Sequence, residues 1–454
     1  MRDRTEPLFG TDGIRGVANR YPMTPEVAVT LGRALVRQLE SRAANTVTVV
    51  VGRDTRLSSP MLEAALAAGV ASGGGTVRLA GCIPTAAVSF LTAELRASAG
   101  AVVSASHNPF HDNGIKLFDE RGFKLSAQAE RNLEELLANP VPEEDWPHGA
   151  LVGRIESLAD AAERYAGFAR SRLAGASPLA GLRLVVDCAH GAASGIAPRV
   201  FSDLGARVHV VGAEPDGTNI NEGCGTQHIG TLRAEVLRVG ADGGVAFDGD
   251  ADRVLLVDEE GEVVDGDHVL FVLAEALSGR GRLARNVVVG TSMSNLGLEL
   301  GLRSLGIEFV RVPVGDRNVV EELRRRGGVL GGEPSGHVVQ LHVLPTGDGL
   351  LTALAMLERA VETGRRWSEW RRRIVKYPQV LRSVPVRRRL PLDEVAELRG
   401  AIRAAEASLG NPSRVVVRYS GTEPVLRIMV EGDSAETVRA VADELASVAE
   451  RCLA

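Results

Sequence analysis

Between Ser104 and Lys116 the chain reads Ser-Ala-Ser-His-Asn-Pro-Phe-His-Asp-Asn-Gly-Ile-Lys. Two hydroxyls, two imidazoles and an amine in one short segment supply nucleophile and acid–base groups. Asn108-Pro109 and Asn113-Gly114 punctuate the segment as a loop, because proline fixes φ and glycine tolerates positive φ. His107 and His111 have a zinc-site spacing, but Pro109 between them opposes the helix that would bring both rings to one face. A phosphoryl group carried by one of the serines makes sense of the other polar clusters.

Asp248, Asp250 and Asp252 stand at alternate positions, directly after the apolar run Gly243 to Phe247. Three carboxylates this close raise one another's pKa values unless a cation shares them. Oxygen-only ligands select a hard ion, and a site completed by a phosphate oxygen suits Mg²⁺. An acidic surface turn is the competing reading. Calcium in an EF-hand is not expected, because the glutamate near the loop's end is not in place.

Two further loops carry suitable groups. In Gly331-Gly-Glu-Pro-Ser-Gly-His337, Glu333 and Ser335 are types that hydrogen-bond vicinal sugar hydroxyls, and His337 could move a proton. In Arg418-Tyr-Ser-Gly-Thr-Glu-Pro424, a guanidinium fork, the hydroxyls of Ser420 and Thr422, and Gly421 make a phosphate cradle. A fifth stretch, Phe9 to Gly16, carries Arg15 and reads by itself as tight turns. Neither a Walker A sequence nor Gly-x-Gly-x-x-Gly occurs, so the common nucleotide fingerprints are absent.

Positioning these loops requires several layered units. At 454 residues the chain exceeds one typical core, and 44% hydrophobic residues with 51 glycines fit a turn-rich α/β protein. A net charge of −6 disfavours nucleic acid as a partner. The start lacks the apolar core of a signal peptide, no apolar run is long enough for a bilayer, and the four cysteines are scattered. No membrane association and a cytoplasmic location are therefore expected.

Thr24-Pro25 opens a helix whose apolar face is Val27, Leu31, Leu35 and Leu39. Strands at 47–51, 77–79 and 99–103 alternate with helices, which argues for a mostly parallel sheet with ligands beyond its carboxyl ends. A second series begins at Leu182, and Asp258 to Gly261 reads as a hairpin turn. A third series runs from Asn286 to about Trp370. After a charged linker at 371–378 the order becomes strand, helix (392–409), two strands, helix, with Asp433 and Glu436 resembling a capping box. Boundaries are expected to give units 1–150, 151–256, 257–372 and 373–454.

Taken together and in this order, Ser-Ala-Ser-His-Asn-Pro, Asp-Gly-Asp-Ala-Asp-Arg, Gly-Glu-Pro-Ser-Gly-His and Arg-Tyr-Ser-Gly-Thr-Glu-Pro resemble the α-D-phosphohexomutase family. Phe9-Gly-Thr-Asp-Gly-Ile-Arg-Gly16, Pro215-Asp-Gly-Thr-Asn-Ile-Asn221, Cys224-Gly-Thr-Gln-His228 and Gly315-Asp-Arg317 are similar to its amino-sugar branch. The resemblance implies three α/β domains and a smaller α+β C-terminal domain around a central cleft. It implies that Ser106, not Ser104, carries the phosphoryl group, and that Mg²⁺ is bound by Ser106, Asp248, Asp250 and Asp252. Lys116 and His337 match positions proposed for proton transfer, Glu333 and Ser335 hold sugar hydroxyls, and Arg418, Ser420, Gly421 and Thr422 anchor the idle phosphate.

His107, Arg253 and Arg15 are expected beside the serine and its substrate. The implied activity is an isomerase moving phosphate between O6 and O1 of glucosamine phosphate, with glucosamine 1,6-bisphosphate as intermediate and activator. That reaction feeds UDP-N-acetylglucosamine and the cell wall, in a monomer or homodimer. Mannose or glucose phosphate as substrate, a silent phosphosugar-binding protein and a plain phosphatase are the rival readings. The sequence departs from the branch at Pro334, where Gln is common, and at Asn318, where Tyr is usual.

Overall fold

The computed structural model describes residues 7–10, 12–40, 46–420 and 424–453. Four sheets follow one another along the chain. The first contains β1 (Ile14–Val17), β2 (Thr48–Arg53), β3 (Thr76–Cys82), β4 (Ala99–Val103), β5 (Asp112–Phe118) and β6 (Ile155–Ser157), in the order β1-β5-β4-β2-β3-β6. β4, β2, β3 and β6 are parallel, while β5 runs antiparallel to both β4 and β1. The loop reading of 104–116 and the tight-turn reading of Phe9 to Gly16 are corrected here. Lys116 sits inside β5, and Arg15 sits inside β1.

The second sheet has β7 (Arg183–Asp187), β8 (Arg207–Val211), β9 (Gly243–Phe247), β10 (Val254–Asp258) and β11 (Val263–Val264), ordered β11-β10-β9-β7-β8. The third has β12 (Val287–Thr291), β13 (Glu308–Val312), β14 (Leu330–Gly332) and β15 (Val338–Gln340), ordered β13-β12-β14-β15. The last is antiparallel, with β18 (Val425–Glu431) between β16 (Gln379–Pro385) and β17 (Arg414–Tyr419). Each sheet thus contains an antiparallel pair joined by a short connection: β4 to β5, β9 to β10, β14 to β15, and β17 to β18. Those four connections are the four loops singled out above.

The continuous apolar runs become strands because both faces are covered. One core passes from Val50 and Val102 in the first sheet through Val186 and Val245 to Val288 in the third, so these three units pack as one mass. The opposite face of the first sheet has its own core under the helices Pro25–Glu40 and Ser59–Ser72. Those helices cross closely because Gly69 leaves no side chain; a Cβ there would lie 2.2 Å from the Val29 carbonyl oxygen.

The fourth sheet keeps a separate core. It is tied to the third unit by polar contacts, Arg414 to the Ser294 carbonyl at 3.1 Å and the Leu296 N–H to Glu431 Oε1 at 2.9 Å. Its first helix begins at Ala396 rather than Leu392, and the final helix Ala435–Leu453 is capped by Ser434, which accepts from the Thr437 N–H at 3.3 Å, not by Asp433. No described helix is long and apolar enough to cross a membrane.

Candidate active site

Ser106 lies just beyond the carboxyl end of β4, with φ at +54°, a left-handed value that costs a β-carbon residue about 1–2 kcal/mol. Its surroundings hold it there. Its N–H donates to Ser104 Oγ at 2.9 Å, and Ser104 in turn donates to Asp54 Oδ2 at 2.7 Å. Arg56, fully buried, donates to the carbonyls of Ser106 (2.8 Å), Asn108 (2.9 Å), Asp112 (3.1 Å) and Pro109, and to Asp54 Oδ2 at 2.8 Å. Asn221 Nδ2 reaches the Ser106 carbonyl from the second unit at 2.9 Å. Asp54 and Arg56 carry no sequence signal beyond polar residues after a strand, while Asn221 closes the Pro215–Asn221 stretch singled out above without any sign of this role.

This strapping turns the Ser106 hydroxyl toward the second unit, where it donates to Asp248 Oδ2 at 2.6 Å. Asp248, Asp250 and Asp252 are all buried, and one oxygen from each falls within 4.8 Å of the others. Lys116 projects from β5 and donates to Asp250 Oδ2 (2.8 Å) and Asp252 Oδ2 (2.9 Å), with Asp12 Oδ2 at 3.2 Å. Thr85 Oγ1 donates to Asp250 Oδ2 at 2.6 Å.

The Oδ1 atoms of Asp250 and Asp252 are buried with no hydrogen-bond partner. Buried, unpaired carboxylate oxygens are costly, and a cation is what would satisfy them. These three side chains could therefore hold a divalent metal ion. Burial and then the charges of Asp252 and Asp250 push Asp248 well above the usual carboxylate range. At Asp252 burial is outweighed by Lys116, and the carboxyl lies below that range. At Lys116 burial is outweighed by Asp12, Asp250 and Asp252, and the amine lies well above its ordinary value.

His107 places Nδ1 3.4 Å from Ser106 Oγ and 3.0 Å from Arg253 Nη1. Because the guanidinium donates to Nδ1, the ring carries its proton on Nε2. Burial, then Arg253 and Arg15, pull its pKa down to about 4. Arg15 pairs with Asp12 and points Nη1 at the Ala105 carbonyl, 3.5 Å away.

The third unit closes the cleft. Glu333 accepts from the Gly315 N–H at 3.0 Å and from Ser335 Oγ at 3.1 Å. His337 is buried, with neither ring nitrogen hydrogen-bonded and Nε2 3.8 Å from Asp316 Oδ2. Lys124 bridges Asp12 of the first unit to Asp316 of the third. Asn318 Nδ2 donates to the Pro313 and Val314 carbonyls, both at 3.2 Å, whereas the Pro334 carbonyl accepts from the Gly266 N–H at 3.2 Å, a bond that any residue there would make.

Ser106, His107, Lys116, Arg253, Arg15 and the three aspartates are thus brought together, with Glu333, Ser335 and His337 on the facing loop. Arg418 and Ser420 are not among them; they stand at the end of β17. Arg418 lies directly across from Arg427 on β18, and burial with that like charge lowers its pKa. Two arginines in register bring positive charge to this end of the fourth sheet. Gly421 and Thr422 lie outside the described residues.

Comparison with known proteins agrees with this geometry. Models of phosphoglucomutase/phosphomannomutase domains match in order: α/β/α domain I at residues 6–142, α/β/α domain II at 163–261, α/β/α domain III at 265–377 and the C-terminal domain at 382–448. The chain belongs to this family, the α-D-phosphohexomutases. Within it, the chain is 49% identical over 441 residues to the phosphoglucosamine mutase of Thioalkalivibrio sulfidiphilus, covering 96% of each chain. It is 47% identical over 448 residues to that of Sorangium cellulosum, covering 98% of this chain and 93% of that one. Among solved structures, a phosphoglucomutase/phosphomannomutase family protein from Burkholderia thailandensis superimposes with a TM-score of 0.81 at 25% identity, covering 100% and 98%. A putative phosphomannomutase from Thermus thermophilus superimposes at 0.78 and 28% identity, covering 98% and 99%.

Proposed function

We propose that the chain interconverts glucosamine 6-phosphate and glucosamine 1-phosphate, with Ser106 as phosphoryl carrier and glucosamine 1,6-bisphosphate as intermediate and activator. The observation that carries this reading is the Ser106 hydroxyl, held in a left-handed conformation and aimed at Asp248 across a 2.6 Å contact. The all-oxygen donor set and the two unpartnered carboxylate oxygens fit Mg²⁺, which Asp248, Asp250 and Asp252 would hold together with a phosphate oxygen on Ser106. Bound there, the ion supplies neutralisation of charge on the transferring group.

The chain's own residues supply the rest. The bond from phosphorus to Ser106 Oγ breaks, a bond to the sugar hydroxyl oxygen forms, the hydroxyl proton passes to a base and the serine oxygen regains a proton. His337, with both ring nitrogens free of hydrogen bonds, is placed to take the hydroxyl proton, and Lys116, which keeps its proton among the carboxylates, to return one to the serine oxygen. Arg253 and Arg15 offer cationic charge beside the serine, with His107 held neutral between them. Glu333 and Ser335 present acceptors to sugar hydroxyls in either orientation. Arg418, Ser420, Gly421 and Thr422 anchor the phosphate that does not react. Each of the four units presents one such loop, the first sheet extending to Ser157 through β6 and the second to Val264 through β11, past the divisions at 150 and 256 expected from the sequence.

Rates measured side by side on glucosamine, mannose and glucose 6-phosphates, with bisphosphate primer, test the substrate. Glucosamine phosphate is expected to give the highest kcat/KM. Preference for mannose or glucose phosphate would move the chain to a sister activity on the same scaffold. Steady release of inorganic phosphate without isomerisation would replace the mutase reading with a phosphatase.

A further inference from the structure

A cavity of about 190 Å³ lies between the second and third units, lined by no residue of the site described above. Its floor is apolar, built from leucines of the helices Gly266–Gly279 and Gly349–Thr363 and from Leu173. Its rim carries Arg172, Arg280, Arg282, Arg359 and His342, against one acid, Glu358. Arg280 pairs with Glu358 and Glu362, and Arg359 pairs with Glu362, so these two guanidiniums are balanced. Arg172 and Arg282 have no carboxylate within ion-pair distance among the described residues; Arg172 only lies over the Phe168 ring. Burial, then Arg282 and, more weakly, Arg172, lower the pKa of His342. A chain of net charge −6 therefore concentrates uncompensated positive charge around one apolar-floored cavity.

We propose that this cavity binds a phosphate-bearing small molecule, held by the forks of Arg172 from the second unit and Arg282 from the third, and that its occupancy is felt in the catalytic cleft. Guanidinium forks match phosphate oxygens in bidentate geometry. The volume admits a sugar phosphate, and the base of a nucleoside monophosphate would extend over the rim. The coupling follows from two shared elements. Helix Gly349–Thr363 lines the cavity with Leu351 and Arg359, while its first residue donates to the Ala251 carbonyl at 3.0 Å, inside the aspartate loop. A Cβ at Gly349 would lie 2.6 Å from the Arg253 carbonyl, so helix and loop move together. β15 likewise begins directly after His337 and ends at Gln340, on the cavity wall. This inference goes beyond the mutase reaction and does not need it, because binding is measured without turnover.

Calorimetric titration of inorganic phosphate, ribose 5-phosphate and adenosine 5′-monophosphate into the Ser106→Ala/Arg418→Ala protein tests the site with the cleft disabled. One binding event is expected to persist there, and adding Arg172→Ala/Arg282→Ala is expected to weaken it about tenfold or more per guanidinium lost. Arg172→Lys/Arg282→Lys, which keeps charge but loses the fork, should fall between. Tighter binding of adenosine monophosphate than of inorganic phosphate would identify an ester with an apolar body; equal binding would identify the phosphate alone. In the otherwise unaltered chain the Arg172→Ala/Arg282→Ala pair should leave thermal unfolding and basal turnover unchanged, since neither residue touches the cleft. Hydrogen exchange at residues 249–253 and 333–338 should slow when the ligand binds. Binding indifferent to both arginines would overturn the site, and bound ligand with unaltered exchange in both loops would overturn the coupling.

Discussion

Lys116 is the residue on which the charge balance of the site turns. Its amine is buried among Asp12, Asp250 and Asp252, and removing one member of a buried charge cluster leaves the others uncompensated. Lys116→Met is therefore expected to lower stability by about 3–5 kcal/mol in urea unfolding without added metal. Added Mg²⁺ should recover part of that loss in the variant. A fully stable variant would show that the carboxylates do not depend on the amine. Lys116 was visible in the sequence as chemistry but not as architecture. Its neighbours Asp112, Asn113 and Gly114 are polar or turn-forming, so they hide a strand whose alternate residues Ile115 and Leu117 face the core.

The same conflict between local propensity and function recurs at the scale of elements. Ala99–Val103 and Gly243–Phe247 were legible to the residue, because an unbroken apolar run buried on both faces has no other use. The straps on the Ser106 loop were not. Arg53-Asp54-Thr55-Arg56 reads as an ordinary charged turn, yet Arg56 is buried and gathers four carbonyls. Arg56→Ala is expected to destabilise the chain by about 3–5 kcal/mol. Arg56→Lys should not restore activity, since an ammonium cannot reproduce the fork. Full kcat in the lysine variant would refute the strap.

Gly249 makes a finer probe of the same contact. A Cβ there would lie 2.5 Å from the Ser106 carbonyl oxygen, so Gly249→Ala should push the serine loop off the aspartate loop. A tenfold or larger fall in kcat with little change in KM is expected, about 1.4 kcal/mol or more at the barrier. Changes confined to KM would assign the glycine to binding instead.

At the scale of the whole molecule, the three α/β units share one core and the fourth has its own, an order that the switch to strand, helix, strand, strand, helix near residue 380 already announced. What composition could not show is how the units are stitched. Tyr165 of the second unit donates to Asp348 of the third at 2.7 Å, and Asp348 caps helix Gly349–Thr363 through the Leu351 N–H at 2.9 Å. Burial raises the Asp348 carboxyl to about 6. With the folded-state pKa above the unfolded one, the folded chain binds the extra proton. That contribution to stability is whole below about pH 4 and is lost as pH rises through about 6. Asp348→Asn keeps an acceptor oxygen for the Leu351 N–H, turns its amide N–H toward the Tyr165 hydroxyl oxygen, and removes the ionisation. Its unfolding free energy should decline less between pH 4 and 7 than that of the parent, by an amount of order 2–3 kcal/mol. Parallel pH profiles for the two proteins would contradict the assignment.

In the proposed mechanism all four connecting loops serve one event, the temporary residence of a phosphoryl group on Ser106. The most direct measurement is peptide mapping by mass spectrometry after incubation with glucosamine 1,6-bisphosphate and Mg²⁺. A single phosphate is expected on the peptide containing Ser106, passing to glucosamine 6-phosphate when that sugar is added, with Ser106→Ala unlabelled and slower by about a thousandfold or more. An unlabelled Ser106 in a protein that still turns over, or label that never passes to the sugar, would contradict the account at its centre.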